Sequence, residues 1–393
     1  MEFSSLPGEL EEMEGSEKRA HPGSALEVLK FFLGLGFTAF GGPAAHIAMM
    51  HRELVRRRRW VTEEQFLDLL SATYLIPGPN STEMAIHLGF VRAGWPGLVL
   101  GGIAFIAPAM MIVMALAALY VHFRTAPALV GILYGVKPVV LALIAHALWD
   151  LGRRTVRGLS LALTGLVVFG LYLWGVHELL LLLTAGALMV LCRRGLSFRI
   201  PMAGVAGLPM LAFSASPIPF SLPLMFLMFL KIGAVLYGSG YVLVAFLRAD
   251  FVARLGWLTE AQLLDAVAVG QITPGPVLTT ATFIGYLLAG VPGALLATLG
   301  IFLPSFVFVA LTGPLIPRMR RSPTISAFLD GVNAASLGLM AGVLVQLAPA
   351  SLVDPLTVGV GLLSLAILAR FPINATWVVL AGAGVGLFRQ LIG

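Results

Sequence analysis

The run Thr62-Glu63-Glu64-Gln65-Phe66-Leu67-Asp68, leading into Leu75-Ile76-Pro77-Gly78-Pro79-Asn80-Ser81-Thr82-Glu83, decides the fold because the chain contains it twice. Its second copy begins at Thr259-Glu260-Ala261-Gln262-Leu263-Leu264-Asp265 and leads into Ile272-Thr273-Pro274-Gly275-Pro276-Val277-Leu278-Thr279-Thr280. Sliding the sequence on itself by 197 places lays residues 32–79 over 229–276 without a gap, with 16 of 48 positions identical. Unrelated chains would match at roughly one position in fifteen, so two halves descend from one ancestral unit. After one deletion the match resumes at Gly89, Gly94, Pro96, Gly97 and Pro108 over Gly285, Gly290, Pro292, Gly293 and Pro304.

Each copy reads as a helix that starts and is then broken. A Thr followed three residues later by Gln is a capping box, so a helix begins at Thr62 and again at Thr259. Proline removes a backbone donor and clashes with the preceding turn, so Pro-Gly-Pro stops that helix. A new half-helix starts after each break. Upstream, a first apolar helix from about 26 is interrupted by Gly41-Gly42-Pro43, and its counterpart from about 222 by Gly238-Ser239-Gly240. Four longer apolar segments close each half, near 96–122, 126–149, 157–173 and 177–192, then 292–316, 325–348, 353–369 and 373–391.

Composition sets the class. The chain of 393 residues is 59% hydrophobic and 11% charged, where soluble globules carry about 25% charge. Segments of this length and apolarity span the roughly 30 Å hydrocarbon core as helices, and a barrel would show short alternating segments instead. The chain is therefore expected to be an all-α polytopic protein of the bacterial inner membrane, in two homologous repeats. Residues 1–24 read as a disordered cytoplasmic tail, 25–192 as the first repeat, 193–221 as a linker and 222–393 as the second repeat.

The net charge of +6 does not point to nucleic acid, because the arginines cluster in short loops: Arg56 to Arg59, Arg153 to Arg157, Arg193 to Arg199 and Arg318 to Arg321. That is the positive-inside pattern, and it places the Arg56 to Arg59 loop in the cytoplasm. The bias reverses in the second half, which favours an inverted repeat. Inversion needs an odd number of crossings, and the apolar linker 200–221 can supply one. The single cysteine, Cys192, excludes an internal disulfide. No phosphate loop, paired-carboxylate motif or metal spacing is present, so neither an enzyme nor a cofactor is expected.

Paired breaks at matching positions of two repeats are the best pointer in a sequence to a transporter site. Free backbone groups in a bilayer cost several kcal/mol each unless protein or water satisfies them, and a half-helix N-terminus suits an anion. The alternative is that the prolines only kink packed helices; duplication in register favours a site. The candidate substrate-binding set is Gly41, Gly42, Pro43, His46, Pro77, Gly78, Pro79, Asn80, Ser81, Thr82, Glu83, Lys137, Gly238, Ser239, Pro274, Gly275, Pro276, Thr279, Thr280 and Asn333. Lys137 enters as a mid-helix cation, with Asn333 as its repeat mate. Glu83 either exchanges a proton or caps its half-helix. Lys231 reads as a snorkelling residue, and Arg52 with Glu53 as an interfacial pair. His46, His87 and His146 read first as core histidines rather than ligands.

At these residues the sequence resembles the chromate transporter (CHR) family, specifically its long two-domain members. The resemblance rests on Phe40-Gly41-Gly42-Pro43-Ala44-Ala45-His46, on Trp60-Val61-Thr62-Glu63-Glu64-Gln65-Phe66, and on Pro77-Gly78-Pro79-Asn80 with Gly89 and Gly94-Trp95-Pro96-Gly97. It covers about 25 to 390. It implies export of chromate, a tetrahedral dianion shaped like sulfate, by secondary transport and hence chromate resistance. The second half departs from the motif, with Gly238-Ser239-Gly240 for Gly-Gly-Pro and Val277 for Asn80, so the half-sites are not equivalent. Sulfate or another oxyanion as substrate, a channel-like anion pore and a non-transporting scaffold stay open as alternatives. So do the proton as coupling ion and a homodimer as the assembly.

Overall fold

The computed structural model describes residues 24–123, 125–193, 218–237, 240–312 and 322–392. Nearly all of the expected tail, most of the linker, the loop 318–321, and Gly238 and Ser239 lie outside the described residues. Those described form helices and no strand. In the first half these are α1 (Ala25–Thr38), α2 (Gly42–Met50) continued by a π-helical turn His51–Arg57, α3 (Glu63–Thr73), α4 (Asn80–Phe123), α5 (Pro127–Thr155), α6 (Leu159–Leu173) and α7 (Glu178–Arg193). The second half repeats the order: α8 (Leu222–Val235), α9 (Leu243–Leu247) with π-helical Arg248–Arg254, α10 (Glu260–Ile272), α11 (Thr280–Thr312), α12 (Pro323–Ser351), α13 (Pro355–Arg370) and α14 (Ala375–Ile392). Five helices among the described residues are long and apolar enough to cross a membrane.

Both capping boxes form, with Thr62 and Thr259 each accepting from the amide of the Gln three residues on. The first two helical passes of each half are hairpins rather than crossings. The helix α1 has 14 residues. At the usual rise per residue it is only about 21 Å long, short of the hydrocarbon core. Its Glu27 meets both Trp60 Nε1 (3.1 Å), beyond the π-helical turn, and Arg92 (2.9 Å). The start of α1, the end of the π turn and the end of the 80–92 arm of α4 therefore share one side. Two helical hairpins, 25–57 and 63–92, thus enter from that side and turn back at Gly41 and at Pro77–Pro79. Trp257 Nε1 donates to Ile218 O at 2.9 Å, which closes the matching hairpin in the second half.

After each second hairpin the chain reverses tightly into a long crossing helix. Ala93–Gly94 and Ala289–Gly290 leave helical geometry, with Gly94 and Gly290 at φ 61° and 63°. The arm and the crossing helix then pack backbone to backbone: a Cβ on Gly89 would collide with Gly97 O, and one on Gly285 with Gly293 O. Small residues permit such close approach between membrane helices.

The halves run antiparallel. Leu98 clusters with Val309, and Gly102 takes the Phe306 ring, so numbering rises on α4 as it falls on α11. Tyr120, near the end of α4, meets Phe283 at the start of α11. Tyr134 near the start of α5 bonds Asp354 beyond the end of α12, while Arg193 at the end of α7 pairs with Asp330 near the start of α12. This is the inverted arrangement that the loop charges predict. On the second half's hairpin side the described arginines are neutralised: Arg248 by Glu260 (2.7 Å), Arg254 by Asp250 (2.6 Å), Arg389 by Asp354 (3.2 Å). More arginines crowd the other: Arg56 to Arg59, Arg153, Arg154, Arg157 and Arg193, of which Arg57 and Arg58 pair with Glu53 and Arg193 with Asp330.

A valine at Gly89 should lower resistance to unfolding in SDS by at least the roughly 1–3 kcal/mol of overpacking. Gly34→Val is the control, since nothing lies within 4 Å of a Cβ there. Equal stability of the two variants would contradict the close packing of arm on crossing helix.

Candidate functional site

The broken tips meet at the interface of the halves and satisfy one another. The Gly78 amide donates to Leu236 O at 2.8 Å, and the Gly275 amide donates to Ala39 O, also at 2.8 Å. Each Pro-Gly-Pro tip of one half therefore caps the first broken helix of the other. Gly78 (φ 139°) and Gly275 (φ 91°) adopt backbone conformations that a side chain would strain. A Cβ on Gly275 would lie 2.8 Å from Ala109 Cβ, and one on Gly78 would lie 2.7 Å from Ser305 Oγ. Ala109 and Ser305 are repeat mates on α4 and α11, so each tip docks on the other half's crossing helix.

On the basic side of this junction a cavity of about 300 Å³ lies between the halves. Its floor is the Gly41–Pro43 tip, its walls are α5 from Leu143 to Arg154 and the second half's Gly270, Gln271, Thr273, Gly275 and Val277, and Asn374 closes one edge. Exposure rises along α5 from buried Leu143 to exposed Arg154, so the cavity opens at the basic end. Gly41 (φ 101°) and Gly42 (φ 76°) let the chain turn abruptly into α2, whose N-terminus has no side-chain cap and faces the cavity. His146, Asp150 and Arg154 recur every fourth residue, which aligns them on one face of α5. The His146 Nε2 stands 3.6 Å from Asp150 Oδ2 and its Nδ1 has no partner. Gln271 accepts from the Tyr241 hydroxyl at 3.3 Å, while its own Nε2 is left without a partner. The cavity thus offers an arginine and a helix N-terminus, with the Asp150 carboxylate beside His146 on the same wall.

The sequence-predicted residues divide accordingly. Gly41, Gly42, Pro43 and Gly275 line the cavity, with Pro274 and Pro276 framing the same tip. Pro77, Gly78, Pro79, Asn80, Ser81, Thr82 and Glu83 lie at the other tip, largely buried. His46 is a staple, its Nε2 3.0 Å from Ala39 O and its ring edge-on to Phe105. Thr279 and Thr280 bond the carbonyls of Pro276 and Val277 within their own turn. Lys137 is an ion-pair partner, 3.6 Å from Asp265, whose other oxygen accepts from Tyr120; its charge is already answered by a carboxylate of the other half. Asn333 is half-buried on α12, away from the cavity lining.

Three sequence readings change. Lys231 does not snorkel: it forms ion pairs with Asp250 at 2.5 Å and Glu178 at 3.5 Å, tying α7 to the second half. Glu53 pairs with Arg57 (3.1 Å) and Arg58 (3.7 Å) rather than Arg52. His146 lines the cavity instead of a core, and the fourfold spacing to Asp150 and Arg154 was the available sign. Gln271, Tyr241 and Asn374 carried no sign in the sequence, because only the meeting of distant segments assembles them.

Known proteins supply an independent comparison. The family model described as chromate transporter matches residues 26–191 and again 224–387. The chain belongs to the chromate transporter family. It is 34% identical over 383 residues to the chromate transport protein of Cupriavidus metallidurans, covering 94% of each chain. It is 37% identical over 360 residues to a probable chromate transport protein of Synechococcus elongatus, covering 88% of this chain and 90% of that one. An uncharacterized transporter of Bacillus subtilis, YwrA, matches at 27% over 161 residues, 40% of this chain but 90% of its own, so that relative is about one repeat long. No solved structure matches the chain.

Removing one member of the Lys137–Asp265 pair strands a charge. The Lys137 side chain is 21% exposed and that of Asp265 4%. Lys137→Ala should therefore cost about 3 kcal/mol, the low end for breaking a buried pair. Adding Asp265→Asn should recover part of that loss, as read by SDS unfolding; additive losses would show that the two side chains do not interact.

Proposed function

We propose that this protein is a secondary transporter that exports chromate across the bacterial inner membrane, with the cavity between the antiparallel halves as its substrate site. The observation that carries the reading is the cavity itself: Arg154 and the uncapped N-terminus of α2 converge on a space between two repeats. An oxyanion needs donors and positive charge, and half-helix ends at a repeat interface supply them in secondary transporters. The Cupriavidus and Synechococcus relatives carry chromate transport in their names, which supports chromate over sulfate. By the positive-inside rule the arginine-rich side is cytoplasmic, so the cavity faces inward, as export requires for loading.

Alternating access then amounts to rocking one half against the other about the tips, with a proton as the coupling ion. The chain acts as a transporter and not a catalyst. A channel-like pore fits less well, because the two tips seal the path beyond the cavity with paired backbone groups.

Everted vesicles expressing the protein should accumulate labelled chromate, saturably, when energised. Arg154→Ala should weaken apparent affinity about tenfold, the worth of one charge-assisted hydrogen bond. No uptake above an empty-vector control, or uptake that never saturates or concentrates, would refute the proposal. Competition by equimolar sulfate measures the selectivity.

A further inference from the structure

We propose that the groove between α5 and α6, behind the cavity wall, is a binding site for one anionic phospholipid of the arginine-rich leaflet. The groove holds about 740 Å³, with Trp149, Gly152 and Arg153 on its α5 wall, Phe169 on its α6 wall, and Leu337 and Ala341 of α12 as its floor. Helix periodicity divides α5 between two spaces. His146, Asp150 and Arg154 face the cavity, whereas Ala145, Trp149 and Arg153 face the groove, each set recurring every fourth residue. Neighbouring arginines thus serve opposite faces of one helix.

The charge at the mouth of the groove selects the headgroup. Among the described residues the Arg153 guanidinium forms no hydrogen bond or ion pair, and no Asp or Glu lines the groove. A phosphate is matched there, while the ammonium of a zwitterionic headgroup would find no carboxylate. Arg157, in the turn that joins α5 to α6, adds a second positive charge at the same end. Basic pockets between membrane helices on the cytoplasmic side are where anionic headgroups bind.

The rest of the groove fits an acyl chain. From Ala145 to Val156 it follows α5 for about 16 Å at the usual rise per residue, half of the roughly 30 Å hydrocarbon core and so the depth of one leaflet. Trp149, 64% exposed, stands one turn deeper than Arg153, where an amphipathic ring meets the headgroup region. Gly152 shows that the space is kept open. A glycine inside a helix costs about 1 kcal/mol against alanine, and nothing lies within 4 Å of a Cβ built there, so no contact within the described chain calls for it. Gly338 differs, since a Cβ on it would collide with Gly165 O where α12 crosses α6. The missing side chain at 152 leaves room beside Arg153 for the glycerol and its phosphate. Bound there, the lipid backs the helix that walls the cavity, whichever anion the cavity carries.

The test is native mass spectrometry of the full-length protein released from nanodiscs that hold equal amounts of phosphatidylglycerol and phosphatidylcholine, as wild type, Arg153→Gln, Gly152→Phe and Arg56→Gln, the last a control on the same side but outside the groove. Wild type and Arg56→Gln should retain one phosphatidylglycerol in preference to phosphatidylcholine. Arg153→Gln should weaken that retention about tenfold, the effect of one charge-assisted hydrogen bond, and Gly152→Phe should abolish it by filling the space while the arginine stays in place. Arg153 is exposed, so its replacement leaves the fold intact and decides the matter even where the bulkier variant misfolds. Equal retention of the two lipids, unchanged retention in Arg153→Gln or in a folded Gly152→Phe, or an equal loss in Arg56→Gln would overturn the proposal. So would glycerol phosphate competing as well as whole lipid, which would make this a site for free phosphate, and so would the absence of any retained lipid, which would mean that protein covers the groove.

Discussion

A helix broken inside a bilayer leaves backbone donors and acceptors that water cannot reach, and everything in this molecule follows from how those groups are satisfied. Here the solution is reciprocal. The Gly78 amide is answered by Leu236 and the Gly275 amide by Ala39, each across the boundary between the halves. Neither half could bury its broken helices alone. Each half is thus completed by the other, and the interface between them is where the cavity lies.

Reciprocity in the backbone coexists with asymmetry in the side chains. Ser305 stands opposite Gly78 where Ala109 stands opposite Gly275. Glu83 has Thr280 as its mate, and Lys137 has Asn333. The ion pairs follow the same rule: Lys137 reaches Asp265 across the halves, and Lys231 joins Asp250 and Glu178. A symmetric frame thus carries unequal side chains at its two tips. Two discrete arrangements of well-packed halves, rather than gradual deformation, are what such interfaces permit.

Much of the frame was legible in the sequence because it depends on local rules. Capping boxes at Thr62 and Thr259, stops at Pro-Gly-Pro and the matched glycines each act within a few residues, and each appears where expected. The hairpins were not legible. A short apolar run such as Ala25–Thr38 reads alike whether it crosses or turns back, and only contacts such as Glu27 with Trp60 and Arg92 settle it. The candidate site was legible in part. Gly41, Gly42, Pro43 and Gly275 were marked by backbone chemistry, whereas Arg154, Gln271 and Asn374 converge only through tertiary packing. Lys137 was overread because an intramembrane cation attracts notice while its partner, far along the chain in the other repeat, does not.

The central claim is that the two halves enter the membrane from opposite sides and meet at their tips. It is tested most directly with the repeat mates Arg57 and Arg254, which end the first hairpin of each half. In a Cys192→Ser background, a cysteine is placed at one of these positions at a time and labelled with a membrane-impermeant maleimide in everted and right-side-out vesicles. The account predicts labelling of Arg57→Cys only in everted vesicles and of Arg254→Cys only in right-side-out vesicles; labelling of both from the same side would contradict it.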